Sequence, residues 1–181
     1  MKWRNFYPDN HCFFITSTVN SRIPLLSQTD IANIFISHVS KAKTILDFKL
    51  YAYVIMPDHW HLLLYFDNGP DCLAFNRDFK RFSSTDVIRH LRQVGRIDLL
   101  NVFHSHANGK TKYSLWKEQA RVIPIFSSKK LEKKLEYIHL NPVKRGLVDS
   151  PGVYLYSSAN FYITGQKGPL EVDRIETILF T

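Results

Sequence analysis

Three features of this 181-residue sequence predict an α+β fold built on an antiparallel sheet. Short runs rich in β-branched and aromatic residues alternate with longer runs whose apolar residues recur every three or four positions. Two of the short runs, 48–55 and 59–66, are joined through Pro57-Asp58, a connection so short that it implies an antiparallel hairpin. The runs follow the order strand, helix, strand, strand, helix, strand, helix. The first six match the split βαβ, or ferredoxin-like, arrangement, in which helices cover one face of the sheet and the other face is open to carry a site.

His11-Cys-Phe-Phe-Ile-Thr-Ser-Thr-Val19 reads as the first strand. Ser27-Gln-Thr-Asp30 has the form of a capping box with Asp in place of Glu, and predicts a first helix over Gln28 to Leu46. Ile31, Ile34, Phe35, Val39, Ala42, Ile45 and Leu46 form its apolar stripe. In the second strand, Leu50, Ala52 and Val54 alternate with Tyr51, Tyr53 and Ile55. The second helix should run from about Asp71 to Gln93, with Pro70 near its first turn. Gly95 to Lys112 reads as a loop or insertion. Gln119 to Phe126 reads as a strand that Pro124 confines to a sheet edge. Ser127 or Ser128 should cap a third helix, which Pro142 should end near Asn141. Val153-Tyr-Leu-Tyr156 and the run from Ile175 to Phe180 have no placement from pattern alone.

The length suits one domain over 1–181, with a core over about 11–148 and a C-terminal tail over 149–181. Hydrophobic residues make up 45%, enough for a buried core, and aromatic residues 14%. The formal charge is +8 with a pI near 9.5, a surplus that suits a polyanion such as nucleic acid. Two cysteines make no disulfide framework and fit a reducing, cytoplasmic setting. Residues 1–10 lack the apolar core of a signal peptide, and no apolar run is long enough to span a membrane.

The stretch with chemical content is Tyr51-Ala-Tyr-Val-Ile-Met-Pro-Asp-His-Trp-His-Leu-Leu-Leu-Tyr65. On a strand, His59 and His61 point to one face and Trp60 to the other. Two imidazoles side by side can share a divalent metal, provided a third ligand and substrate oxygens complete the shell. The third helix offers partners: Tyr137 and Asn141 lie four residues apart on one helical face. Asn141 has a carbonyl oxygen for a metal, and Tyr137 has a phenol able to attack phosphorus once a nearby cation or metal favours its ionisation. His139 points round the far side of that helix. Each feature also has an ordinary explanation. His104-Ser-His106 shows that H-x-H can arise in a solvated loop, Asn141 before Pro142 can be a mere helix terminator, and the basic runs around Arg77 and Lys133 can be solvated faces. It is their combination that points to one task.

Met56-Pro-Asp-His-Trp-His-Leu-Leu-Leu64 resembles the M-P-N-H-x-H-L-L signature of the HUH single-strand transposases. Tyr137-Ile-His-Leu-Asn-Pro-Val-Lys-Arg-Gly-Leu-Val148 is similar to a segment of the REP-associated tyrosine transposases, an IS200-like group. Phe79-Lys-Arg-Phe82 and Tyr156-Ser-Ser158 resemble two further segments of that group. The resemblance implies a ferredoxin-like catalytic domain in which His59, His61 and Asn141 bind Mg2+ or Mn2+. It implies that Tyr137 forms a 5′-phosphotyrosine link with single-stranded DNA beside a hairpin. It is consistent with a monomer or a homodimer. Asp58 departs from the usual Asn of the signature and adds a charge beside the metal position. Arg77, Lys80, Arg81, Lys133, Lys134, Lys144 and Arg145 are the candidate contacts to DNA phosphates. The expected activity is therefore that of a metal-dependent DNA endonuclease and strand transferase. The alternative is a hairpin-DNA-binding protein that no longer cuts.

Overall fold

The computed structural model describes residues 7–107, 109, 111–118 and 121–175. Four strands, β1 (His11–Thr18), β2 (Lys49–Ile55), β3 (His59–Phe66) and β4 (Arg121–Ile125), form one antiparallel sheet in the order β2-β3-β1-β4. Helices α1 (Thr29–Leu46) and α2 (Asp71–Gln93) follow β1 and β3. Helix α3 spans Ile97–Ser105, α4 spans Ser128–Lys144 and α5 spans Ala159–Thr164. This is the predicted ferredoxin-like α+β order with a helix and a tail added at the C-terminal end.

Strand alternation divides the sheet between two environments. Phe13 and Ile15 of β1 and Trp60, Leu62, Leu64 and Phe66 of β3 face α1 and α2 in the main core. There Trp60 lies against Phe35, Phe79 and Trp116, with ring centroids 5.5, 5.2 and 6.3 Å away. Burying each side chain of this size stabilises the fold by roughly 1.5–3 kcal/mol. The other face receives α4, which sets Leu131 and Ile138 on Phe14, Ala52, Val54 and Leu63. The cysteines Cys12 and Cys72 are buried and unbridged.

The differences from the sequence expectations have local causes. Strict alternation in β2 breaks at a bulge: Leu50 pairs with Leu64 but Ala52 with Leu63. Tyr51 thereby joins Ala52 and Val54 on the α4 face, while Leu50 faces the main core with Tyr53 and Ile55. The capping box before α1 does not close. Ser27 Oγ instead donates to the carbonyl of Pro24, 2.5 Å away in the preceding turn, and Gln28 makes no side-chain cap. The expected loop over Gly95 to Lys112 contains α3, whose Leu99, Leu100 and Phe103 reach the core. Gly95, at φ 72, lets the chain turn from α2 into it.

Helix α4 starts where expected, with Ser127 Oγ accepting from the Lys130 amide. It does not stop at Asn141: it carries Pro142 inside and ends at Lys144. Pro142 is buried there, and amides of Arg145, Gly146 and Leu147 close on the carbonyls of Asn141, Val143 and Pro142. Gly146 at φ 66 makes that closing turn without steric cost. Strand β4 is an edge strand, and Pro124 pairs with Phe13 within it. Gln119, where this strand was expected to begin, lies outside the described residues, as does most of the run from Ile175 to Phe180.

The chain after α4 lies along the free edge of β2. Amides of Ile55, Ser158 and Asp173 donate to the carbonyls of Tyr156, Tyr53 and Leu50 at 2.8, 3.0 and 2.8 Å. Ser158 Oγ accepts from the Tyr53 amide, and an Asp173 carboxylate oxygen accepts from the Leu50 amide. Leu170 and Val172 then enter the main core.

Candidate active site

β3 carries His59 and His61 to the α4 face, with ring centroids 4.9 Å apart and the rings meeting edge to face. Their cross-strand neighbours on β1 are Thr18 and Thr16. Both imidazoles are buried, at 6% and 5% exposure. His61 stacks on Phe14 with centroids 5.2 Å apart. Burial first, then the nearby His59 and Lys134, drives the His61 pKa down to about 3 against an opposing contribution from Asp58. His61 is therefore a neutral imidazole at physiological pH, and its Nδ1 finds no hydrogen-bond partner among the described residues.

His59 is oriented by its neighbour. Its Nδ1 lies 2.5 Å from Asp58 Oδ1, and Arg22 holds Asp58 Oδ2 at 3.0 Å. Burial alone would raise the Asp58 carboxyl, but its contacts with His59 and Arg22 outweigh burial and keep it below the ordinary range. With Nδ1 donating to the carboxylate, the lone pair of His59 lies on Nε2. That is the carboxylate–imidazole pairing that fixes the tautomer of a metal-binding histidine.

α4 brings the phenol. Tyr137 Oη lies 3.4 Å from His61 Nε2, the long limit of a hydrogen bond, and the two rings meet edge to face at 5.1 Å. Tyr137 is 38% exposed, so the hydroxyl is open to an incoming group. Lys134, one turn earlier, sets its ammonium 4.3 Å over Phe14 and 5.4 Å over the Tyr137 ring. Asn141, one turn later, is buried but does not line the cleft. On the far side of α4, His139 Nε2 lies 2.9 Å from Ser158 Oγ, and burial lowers its pKa to about 4.

The imidazoles and the phenol open into a cleft of about 500 Å3. Its walls carry five cations, Arg22, Lys117, Arg121, Lys134 and Arg145, and no carboxylate among the described residues. Lys134 and Arg145 were expected from the sequence. Arg121 had a signal, since alternation along β4 sets it on the face of Ile123. Lys117 and Arg22 had none. Arg22 reaches the cleft because Ser21 and Arg22 both adopt left-handed backbone, at φ 56 and 53, a conformation uncommon for residues other than glycine.

The other candidate DNA contacts lie elsewhere. Arg77 is paired with Asp78 on exposed α2 surface. Lys80 donates to the carbonyls of Lys117 and Glu118, and Arg81 sits over the Phe82 ring. Lys133 and Lys144 are exposed on α4. The pair His104 and His106 is not in an irregular loop but at the end of α3, where His106 Nε2 meets Ser21 Oγ at 2.7 Å.

Two residues can hold a metal, but no group of three His, Cys, Asp or Glu side chains gathers at one point among the described residues. The pair fits a metal whose remaining ligands are a neutral oxygen, substrate phosphate and water. A neutral His61 and a tautomer-fixed His59 would supply two lone pairs to such an ion.

A histidine pair on a central strand, faced by a helix-borne tyrosine in a basic cleft, is an arrangement suited to a phosphodiester of a nucleic acid. Residues 9–141 match the model of the family described as "Transposase IS200 like", and the chain belongs to that family. It is 26% identical over 156 residues to a Haemophilus influenzae protein named "Putative REP-associated tyrosine transposase", covering 86% of this chain and 84% of that one. It shares its fold with the solved structure of a REP-associated tyrosine transposase bound to a REP hairpin. The TM-score is 0.65 and the identity 20%, with 100% of this chain and 97% of the other covered. No described helix is long and apolar enough to cross a membrane.

Proposed function

We propose that this chain, acting as one unit over 1–181, is a metal-dependent endonuclease and strand transferase for single-stranded DNA beside a hairpin. The observation that carries this reading is the approach of Tyr137 Oη to His61 within 3.4 Å, in a cleft walled by cations. The relatives support it: one is named as REP-associated, and the other was solved on a REP hairpin.

His59 and His61 are the proposed ligands of Mg2+ or Mn2+, and the amide oxygen of Asn141, which lies outside the cleft lining here, would have to turn toward them to complete the set. A divalent ion there supplies polarisation of the scissile phosphate. Tyr137 is the nucleophile. Its oxygen bonds to phosphorus, the phenolic proton passes to solvent, and the bond from phosphorus to the 3′ oxygen breaks. The departing oxygen takes a proton and leaves as a 3′-hydroxyl, while the 5′ side stays on the protein as a phosphotyrosine. Keeping the phosphate bonded to Tyr137 allows a later hydroxyl to rejoin the strand. Lys134 and Arg145, with Arg22, Lys117 and Arg121, hold the backbone phosphates in the cleft, Lys133 and Lys144 add exposed charge on α4, and Arg77, Lys80 and Arg81 are proposed contacts on α2 outside the cleft. The phenol and both imidazoles come from one chain, so the proposed site needs no second subunit to bring them together.

The test is incubation of labelled hairpin DNA with the protein and Mn2+, followed by denaturing electrophoresis. A covalent protein–DNA band that disappears in Tyr137→Phe is the expected result. Hairpin binding with no such band in the native protein would instead mark a binder that does not cut.

A further inference from the structure

A second basic depression lies on the other side of the sheet, between α2 and the segment 111–116. It holds about 420 Å3 and carries four cations, Lys80, Arg81, Arg92 and Lys112, with no carboxylate among the described residues of its lining. Lys80 is spent on the carbonyls of Lys117 and Glu118, and Arg81 has Asp78 at 3.7 Å. Arg92 and Lys112 have no carboxylate partner among the described residues, and both are exposed. Like charges gathered without a counter-ion cost free energy unless an anion joins them.

The chemistry of the lining selects the kind of anion. Beside the cations stands the Ser84 hydroxyl of α2, while those of Thr85, Thr111 and Ser114 already donate to the carbonyls of Arg81, Tyr113 and Trp116. The single ring that could take an unpaired base, Tyr113, already has Arg92 5.2 Å and Lys112 5.8 Å from its centroid. The groove therefore offers phosphate contacts and no free stacking surface. The histidine cleft differs: Phe14, Ile123 and the half-open Tyr137 give it apolar surface beside its cations.

The two depressions share a wall. Leu115 and Trp116 line the groove, and Lys117 lines the histidine cleft. That wall is tied to the end of β1 by the Val19–Trp116 bridge and by the Lys117 amide on the Thr18 carbonyl at 2.8 Å. We infer that the groove of Arg92 and Lys112 binds the backbone phosphates of a DNA duplex stem, while the strand continuous with that stem enters the histidine cleft across the wall. The inference rests on the proposed function for its DNA partner, but it assigns a separate surface to the paired part of that partner.

The experiment compares two DNAs by fluorescence anisotropy: a hairpin with a 5′ single-stranded extension, and the extension alone. In Arg92→Ala/Lys112→Ala, hairpin affinity should fall roughly tenfold, and the slope of log affinity against log salt should shrink by about 2, near 0.9 for each phosphate that the protein no longer neutralises. The preference for hairpin over bare extension should fall with it. The charge-keeping pair Arg92→Lys/Lys112→Arg should retain native hairpin affinity, and thermal melting of both proteins checks that they are folded. A hairpin-specific loss supports the groove whether or not the native protein forms a Tyr137–DNA adduct. Equal loss on both DNAs, unchanged hairpin affinity in the alanine pair, or the same loss in the charge-keeping pair overturns it, even where the adduct forms.

Discussion

The two faces of the sheet are made from the same strands and do opposite things. Toward α1 and α2, β3 presents Trp60, Leu62, Leu64 and Phe66 to a dry core. Toward α4 it presents His59 and His61, then Leu63, so that polar rings occupy one end and apolar packing the other. The first face is closed by two long helices. The second is covered by one helix that leaves the histidine end open to a cleft. A single strand thus joins a closed apolar core to an open polar cleft, and among the described residues each side keeps a buried nitrogen without a hydrogen-bond partner, Nε1 of Trp60 and Nδ1 of His61. A group like that costs stability, on the order of 1–3 kcal/mol, unless a ligand takes it up. The main core makes that cost tolerable.

Substitutions on the two faces should separate activity from stability. The largest effect is expected for Tyr137→Phe, which should remove the covalent DNA adduct from denaturing gels while leaving the melting temperature near native. His59→Ala and His61→Ala should abolish cleavage and sharply weaken Mn2+ binding in calorimetry, yet spare hairpin binding. Lost hairpin binding in both would make the histidines structural and dissolve the contrast between the faces. On the opposite side of the same strand, Trp60→Ala should cost about 3–5 kcal/mol in denaturant unfolding, because it empties the centre of an aromatic cluster.

A smaller effect follows from His139. Its pKa is about 4 in the folded chain against an ordinary 6.5, because it is buried. An unfolded chain takes up this proton first as pH falls, so the stabilisation is full above about pH 6.5 and is lost between there and about pH 4. The loss is at most on the order of 3 kcal/mol, and His139→Gln should flatten that acid limb in melting curves. Smallest of all, Ser127→Ala should cost about 1 kcal/mol through the N-cap of α4.

Much of this contrast was legible in the sequence, because alternation on a strand depends on local geometry alone. His59, Trp60 and His61 could be assigned to their faces from spacing, but the shared helical face expected for Tyr137 and Asn141 brings only Tyr137 into the cleft lining. The bulge at Tyr51 was not legible, since nothing local in Leu50-Tyr-Ala52 demands an extra residue; the pairing with β3 imposes it. Helix α4 runs on through Pro142 because tertiary burial and the closing turn at Gly146 outweigh the local preference to stop. Helix α3 was masked by polar neighbours, although Leu99, Leu100 and Phe103 carry the right spacing. Arg22 depends on two left-handed residues, which side-chain pattern does not reveal.

The run that follows α4 gives its backbone to β2, including the Tyr156 carbonyl and the Ser158 and Asp173 amides. A chain shortened after residue 148 would leave β2 as bare adhesive, ready to recruit strands from its neighbours. Such a protein should clump or pair with itself before any question of DNA arises. Tags and fusions therefore belong at the other terminus.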